Sequence, residues 1–545
     1  MSLYLQNDQS SVLWPEPIES TWQLLGGEHP SSLAPKLPHL GLADILFMTT
    51  IMNIPRSQRP WGIVTWLAEV FALSRPALYG LSARVTQRLL ASLQQAEALL
   101  PEKSDSGTIE LTQNRLTRTI LTAAFPGKMA IRPLQQLIRE AFGHSRSVGG
   151  LCELLMEAGR RSGRVLGQVD TSPLQAVIVA RDETFFQGHP LLLVVDPVST
   201  TILLADASSD RQADTWGAAL LVAQDQGATI KGTVEDMARM YPKSQQEAGL
   251  DWSVQKDVWH IERDGSQVRR DLERAAFRST KQVLKVQRQL LKAWDDSVFE
   301  QQYIPAVEQE KRLYDQHALF SEWLAHLGDA LELVDWRSGE IRDRSINEWL
   351  LEETLTAMER IDHVRVRKWV KKLRRHQTQL LTSLDWLAEA LQAYWEQLAQ
   401  LPWTPKAQQS FTRLVARCWR LRQAVINGHT AFNSQVQQAE AALQILITDN
   451  PQRQHMADRL IELLDAGCRA SSLIECINGL LQQFLHNRRA FRNLETLQLY
   501  LNLFTLWHNM RVYERGKRKG KSPYQLAGID LGTDDWLSLI GYPAD

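Results

Sequence analysis

A chain of 545 residues is too long for one ordinary hydrophobic core, which predicts roughly three to four structural units. With 44% hydrophobic and 23% charged residues it is neither disordered nor fibrous. The 61 Lys and Arg balance 62 Asp and Glu, so no global basic field announces a nucleic-acid partner and any such site has to be a local patch.

Cys152, Cys418, Cys468 and Cys476 are scattered, without a C-x-x-C spacing or a His cluster. That argues against a disulfide framework or a zinc module and for a reducing cytoplasm. Residues 1–8 lack a basic stretch followed by an apolar one, and no run of about 18 apolar residues occurs, so a cytoplasmic location without a membrane is expected. Residues 1–40, rich in Pro, Ser and Gly, read as an extended lead-in.

Residues 41–165 are expected to form a helical region with two helix-turn-helix corners. Residues 63–85 give an apolar helix, a break at Ala72-Leu73 and a second helix capped by Ser74 with Pro76 in its first turn. In the second corner Leu134, Leu137, Ile138 and Phe142 share one helix, Gly143 falls in the turn, and Ser145 or Ser147 starts the next. If the corners read DNA, Ser74, Arg75, Tyr79 and Arg84 of the first and Arg146 of the second are the candidate contacts. Two-helix corners are equally common in domains that touch no DNA.

At about residue 174 the texture changes. Residues 174–182, 191–196 and 200–206 are apolar, β-branched runs separated by turn residues and read as three strands. Residues 212–223 have helical spacing, 228–236 read as a fourth strand and 254–261 as a fifth. Residues 265–465 then carry four prolines and four glycines, too few to punctuate a sheet, and predict an all-α block. Nine of the 18 tryptophans fall there (Trp294, Trp323, Trp336, Trp349, Trp369, Trp386, Trp395, Trp403 and Trp419) and are expected to anchor helix packing.

A helix beginning near Ser471 puts Leu473, Ile474, Ile477, Leu480, Leu481 and Phe484 on one side and Glu475, Asn478 and Gln482 on the other. Two cationic stretches stand out. In 360–376, Arg365, Arg367, Lys368, Lys371, Lys372, Arg374 and Arg375 accompany Arg360 against the single acid Asp362. In the basic tail predicted over 511–545, Arg515, Lys517, Arg518 and Lys519 lie among Gly residues. Both suit phosphate contacts, although a charge run on a helix is often only a solvated face.

Three antiparallel-looking strands, a helix, two further strands and a returning helix are the order of the ribonuclease H-like fold. The expected class is therefore α+β and predominantly helical: a helix-turn-helix front end, a mixed-sheet core over 170–264 and 466–510, and an all-α insertion over 265–465. The insertion is required by the 239 residues that separate Asp236 from Glu475.

The stretches Arg181-Asp182-Glu183-Thr184-Phe185, Lys256-Asp257-Val258-Trp259-His260, Ser471 to Asn478 and His508-Asn509-Met510-Arg511 through Pro523 resemble a DDE-type transposase of a bacterial insertion sequence. The resemblance implies that Asp182, Asp236 and Glu475 hold two Mg²⁺ (or Mn²⁺) ions, with Asn478 supporting. It implies cleavage of transposon ends by metal-assisted hydrolysis and joining of the 3′-hydroxyl to target DNA. Double-stranded DNA and a homodimer or higher oligomer in a synaptic complex are the implied partners. Glu183 competes with Asp182, Asp257 is the alternative second acid, and Glu475 would serve equally as the acid of a Ser472-x-x-Glu475 capping box. Two other functions stay open, a catalytically decayed relative that binds DNA sequence-specifically and a ribonuclease H-like nuclease without strand transfer.

Overall fold

The computed structural model describes residues 40–56, 58–59, 62–97, 111–448, 450–467, 469–488 and 491–544. The lead-in before Leu40 and Cys468 lie outside the described residues. The chain divides into two units, Met1–Glu110 and Leu111–Asp545.

In the first unit, helices Leu42–Asn53, Ile63–Val70 and Arg75–Glu97 pack around Phe47, Met48, Ile51, Leu67 and Leu78. The break at Ala72-Leu73 is as expected: Ala72 takes a positive φ of 50°, and Ser74 Oγ accepts the Ala77 N–H at 3.2 Å. Arg75, Tyr79 and Arg84 are exposed on the third helix.

The second unit begins with helices Gln113–Ala124, Ile131–Phe142 and Val148–Leu166. Gly143 closes the middle one in the left-handed conformation, and Ser147 caps the third by accepting the Gly150 N–H. These helices do not share a domain with the first corner, as the expected 41–165 region would require. Their apolar stripes, Leu116, Ile120, Leu134, Ile138, Leu151 and Leu155, sink into the same cluster as the sheet. Amphipathic helices join whichever core their stripes can reach, and the chain boundary falls near residue 110 instead.

Five strands form one sheet in the order β3-β2-β1-β4-β5: β1 (Val177–Phe186), β2 (His189–Val195), β3 (Ile202–Ala207), β4 (Ile230–Glu235) and β5 (Ser253–Lys256). The first three pair antiparallel, while β4 lies parallel to β1 and β5 parallel to β4. This is the strand order and direction expected for a ribonuclease H-like core. Gln187 and Gly188, both at positive φ, make the two-residue turn between β1 and β2. Alternation sorts the faces: Ala180, Leu191, Leu193 and Val195 look towards helices Ser472–His486 and Leu494–Met510, whereas Val179, Leu192 and Val194 cover Trp216 and Leu220 of helix Ala213–Gln224.

The fifth strand is shorter than the sequence suggests. Asp257 ends it by capping a 35-residue helix, Val258–Lys292, accepting the N–H groups of Trp259 at 2.8 Å and His260 at 3.4 Å. The all-α block follows, with a core that includes Leu272, Phe320, Leu355, Trp369, Val415 and Leu460. Its tryptophans divide: Trp369, Trp386 and Trp419 are buried, whereas Trp294, Trp349 and Trp395 are exposed. The presence of a tryptophan in a helical block does not say which side of its helix meets a neighbour.

The segment after Arg511 is not a loose basic tail. Tyr524, Ala527, Ile529, Leu537 and Ile540 enter the main core, and Tyr513 and Lys521 close the basic loop by a backbone hydrogen bond of 3.0 Å. No described helix is long and apolar enough to cross a membrane.

Candidate active site

The site grows from two rows of side chains in the middle of β1 and at the C-terminal ends of β4 and β5. Ala180 pairs with Val234 and Glu235 with Lys256, so Arg181, Glu235 and Lys256 stand side by side. The next residues are Asp182, within β1, and Asp236 and Asp257, just past the last paired residues of β4 and β5. Since successive side chains point to opposite faces, the two rows look away from each other.

The first row is a fully buried charge network. Glu235 accepts Arg181 Nε at 2.7 Å on one oxygen and Lys256 Nζ at 2.6 Å on the other, and all three side chains are 0% exposed. Arg181 also donates to Ser244 Oγ and the Tyr241 carbonyl, with its guanidinium 4.5 Å from the Tyr241 ring centroid. Lys256 Nζ adds a 3.1 Å bond to the Asp236 carbonyl. One carboxylate thus ties the middle of β1 to the ends of β4 and β5. Sequence reasoning missed this network, because an Arg or Lys next to an Asp on a strand looks like a surface charge until the register is known.

On the other row, Asp182 is half-buried and faces helix Ser472–His486. Asn478 Nδ2 donates to its Oδ2 at 2.9 Å. Burial first, then the negative charges of Glu475 and Glu183, push the Asp182 carboxyl up to about 7. Asn478 Oδ1 is buried without a hydrogen-bond partner among the described residues. Asp236 uses one oxygen to accept the Ala238 N–H at 2.6 Å, a turn-forming bond. Its charge, with those of Glu183 and Asp182, reaches the Tyr241 hydroxyl, and burial leads in holding that phenol well above its ordinary range.

Glu475 lies in the first turn of its helix, 34% exposed, with Oε1 3.5 Å from His260 Nε2. It is not part of a capping box: Ser471 is the N-cap, makes no side-chain cap bond, and turns its hydroxyl to Asp257 Oδ2. Asp257 also accepts His260 Nδ1 at 2.6 Å. Desolvation opposes a charged imidazole, but the bonds to Asp257 and Glu475 outweigh it and raise His260 to about 10.

The competing acids separate on these contacts. Glu183 sits on the Arg181 face, bonded to the Tyr241 hydroxyl and, at 2.7 Å, to Arg211. Asp257 has both oxygens engaged by Ser471, His260 and its own helix N-terminus. Gln482, placed by sequence on the face with Glu475, is pinned to β1 through Thr184 Oγ1 and the Phe185 carbonyl, each at 3.0 Å.

The expected DNA contacts are scattered. In helix Val364–Arg375, Arg365 pairs with Asp271, Arg367 with Asp362, Lys372 with Asp264 and Arg374 with Glu352 and Glu359. Lys368, Lys371 and Arg375 are exposed. Arg146 is half-buried. In the closing loop, Lys517 pairs with Asp465 and Arg518 donates to the Pro197 and Val198 carbonyls, leaving Arg515 and Lys519 exposed. His508 and Asn509, part of the resemblance, lie buried against the free edge of the sheet. Asn509 bonds both backbone groups of Ile202 at 2.9 Å, and Gln498 does the same service for Ala205 and Ala207. Side-chain amides thereby cover an otherwise unpaired strand.

No family model matches the chain, and no curated protein matches it. Among solved structures it is similar to the Drosophila P element transposase strand transfer complex, at 13% identity and a TM-score of 0.28, over 71% of this chain and 100% of that one. A superposition that loose carries neither fold nor chemistry, and both rest on the strand order and side chains described above.

Proposed function

We propose that this protein is a metal-dependent DNA transposase of the DDE type, similar to those of bacterial insertion sequences. The observation that supports it best is the meeting of Asp182, in the middle of β1, with the Glu475–Asn478 face of a helix that returns after the whole insertion. Among the described residues no three His, Cys, Asp or Glu side chains are already drawn into one coordination sphere. The donors still suit a hard divalent cation in kind: the Asp182 carboxyl, raised by burial and then by the charges of Glu475 and Glu183, and the Asn478 oxygen, which has no hydrogen-bond partner among the described residues.

Asp182, Asp236 and Glu475 would hold two Mg²⁺ or Mn²⁺ ions, which when bound activate the attacking oxygen and stabilise the leaving one. Asn478 orients Asp182. His260, itself held by Asp257, orients Glu475. Asp236 is preferred over Asp257 because it keeps an oxygen outside the turn bond, whereas Asp257 has neither free. The substrate is double-stranded DNA, and pairing of two ends calls for a homodimer or larger assembly.

The test is a supercoiled plasmid carrying the DNA that flanks this gene, incubated with Mg²⁺ or Mn²⁺. Nicking that disappears in Asp182→Ala and Glu475→Ala, with DNA binding retained, supports the proposal. Binding without cleavage under either metal overturns it in favour of a DNA-binding relative. Nicking with no joining of pre-cleaved ends reduces it to a nuclease.

A further inference from the structure

The helix Val258–Lys292 starts at the acid row and runs 35 residues, about 52 Å at 1.5 Å per residue. Its buried stripe includes Val268, Leu272, Ala276, Val283, Val286 and Leu290. On the opposite side stand Arg274, Arg278, Lys281, Lys285, Arg288 and Lys292, spaced alternately four and three residues apart. At 3.6 residues per turn, that spacing confines six cations to an arc of roughly 80°, centred about 160° from the buried stripe. All six are exposed, and no acid occurs between Arg274 and Lys292. Arg274 alone among them has an ion-pair partner among the described residues, Asp271 at 3.8 Å.

The same arc continues towards the site through Arg270 and Arg263, both exposed, and reaches His260, whose Nε2 is 3.5 Å from Glu475. Asp271 and Asp264, the acids that border it on one side, are taken up by Arg365 and Lys372 of the neighbouring helix. The result is a rigid positive ridge of about 44 Å from Arg263 to Lys292, longer than the 34–36 Å of one DNA turn.

We propose that this face of helix Val258–Lys292 is the track on which duplex DNA lies as it enters the acid site, its phosphates neutralised by the ridge. The proposal rests on the catalytic reading above for the purpose of the track. Charge complementarity and continuity with His260 and Glu475 argue for DNA as the occupant. Contacts of this kind position a duplex and carry no sequence information. Phe277, Leu284 and Leu291, exposed at 56%, 43% and 79%, border the arc at seven-residue intervals, and an anionic membrane surface would use them instead.

The deciding experiment uses the full-length protein with the triple substitution Lys281→Gln, Lys285→Gln and Arg288→Gln, and a 30-base-pair duplex in EDTA at varied salt. Affinity is expected to fall roughly tenfold or more, and the slope of log K against log salt to become shallower by about 2.7, three phosphates at about 0.9 each. An unchanged melting curve shows that the fold is intact. Unchanged affinity and slope overturn the track. So does loss of binding to phosphatidylglycerol vesicles with duplex binding unaltered, which points to a membrane. Ridge-dependent duplex binding in a wild-type protein that never nicks DNA supports the track and sinks the catalytic reading alone.

Discussion

Asn478 donates its side-chain amide to Asp182 Oδ2 at 2.9 Å across a separation of 296 residues. The whole all-α insertion lies between the two, so the bond exists only when the last core helix has returned to β1. Replacing Asn478 by Ala removes the group that orients Asp182 without adding charge. Nicking should fall about 10–100-fold, the range for losing a supporting hydrogen bond around a metal ligand, while DNA binding and circular dichroism stay unchanged. Wild-type nicking rates in that variant would exclude Asn478 from the site.

Glu235 is the one carboxylate between two buried cations. Glu235→Ala leaves Arg181 and Lys256 uncompensated in a dry environment and should cost about 3–5 kcal/mol, read as a lower denaturant midpoint. The triple replacement Arg181→Met, Glu235→Leu, Lys256→Met removes all the charges together and should be far milder. If the single and triple variants are equally destabilised, packing rather than charge pairing holds the three strands together.

His508 is fully buried, with Nε2 3.0 Å from the Thr200 carbonyl, and burial, followed by the charge of Arg511, pushes it down to about 3. Its folded value lies below the ordinary 6.5, so the unfolded chain takes up the proton first. Its contribution to stability is therefore complete above pH 6.5 and is lost as pH falls towards 3, at up to about 1.4 kcal/mol per pH unit. His508→Gln should flatten that acid limb in denaturation curves taken from pH 7 to pH 4. An equally steep limb in the variant would assign the acid sensitivity to other groups.

Gly159 sits where helix Val148–Leu166 crosses helix Leu494–Met510, and a Cβ there would stand 2.3 Å from the Leu499 carbonyl oxygen. The backbone cannot yield as a flexible side chain would. Gly159→Ala should destabilise the second unit by about 1–3 kcal/mol, seen as a lower melting temperature. An unshifted melting temperature would mean that the two helices can part without loss, freeing the second corner for another role.

Local patterning determined the element types and much of their order. Apolar, β-branched runs bounded by turn residues marked five strands, Ser74 and either Ser145 or Ser147 marked helix starts, and the scarcity of Gly and Pro over 265–465 marked the helical block. These signals come from neighbours a few residues apart, whose backbone preferences are written where they act. Asp182, Glu475 and Asn478 could be named from sequence through a resemblance, but not brought together by it. Strand register decided which acids look the same way: it sends Asp182 to the face covered by helix Ser472–His486 and Glu183 with Arg181 to the other. Long-range packing turned Asp257 from an alternative acid into the partner of His260 and Ser471, and folded the basic tail back into the core. It also left one face of helix Val258–Lys292 bare, exposing a ridge of cations that the overall balance of 61 basic against 62 acidic residues conceals. Burial, pairing and exposure depend on what arrives from elsewhere in the chain, and no window of sequence contains that partner.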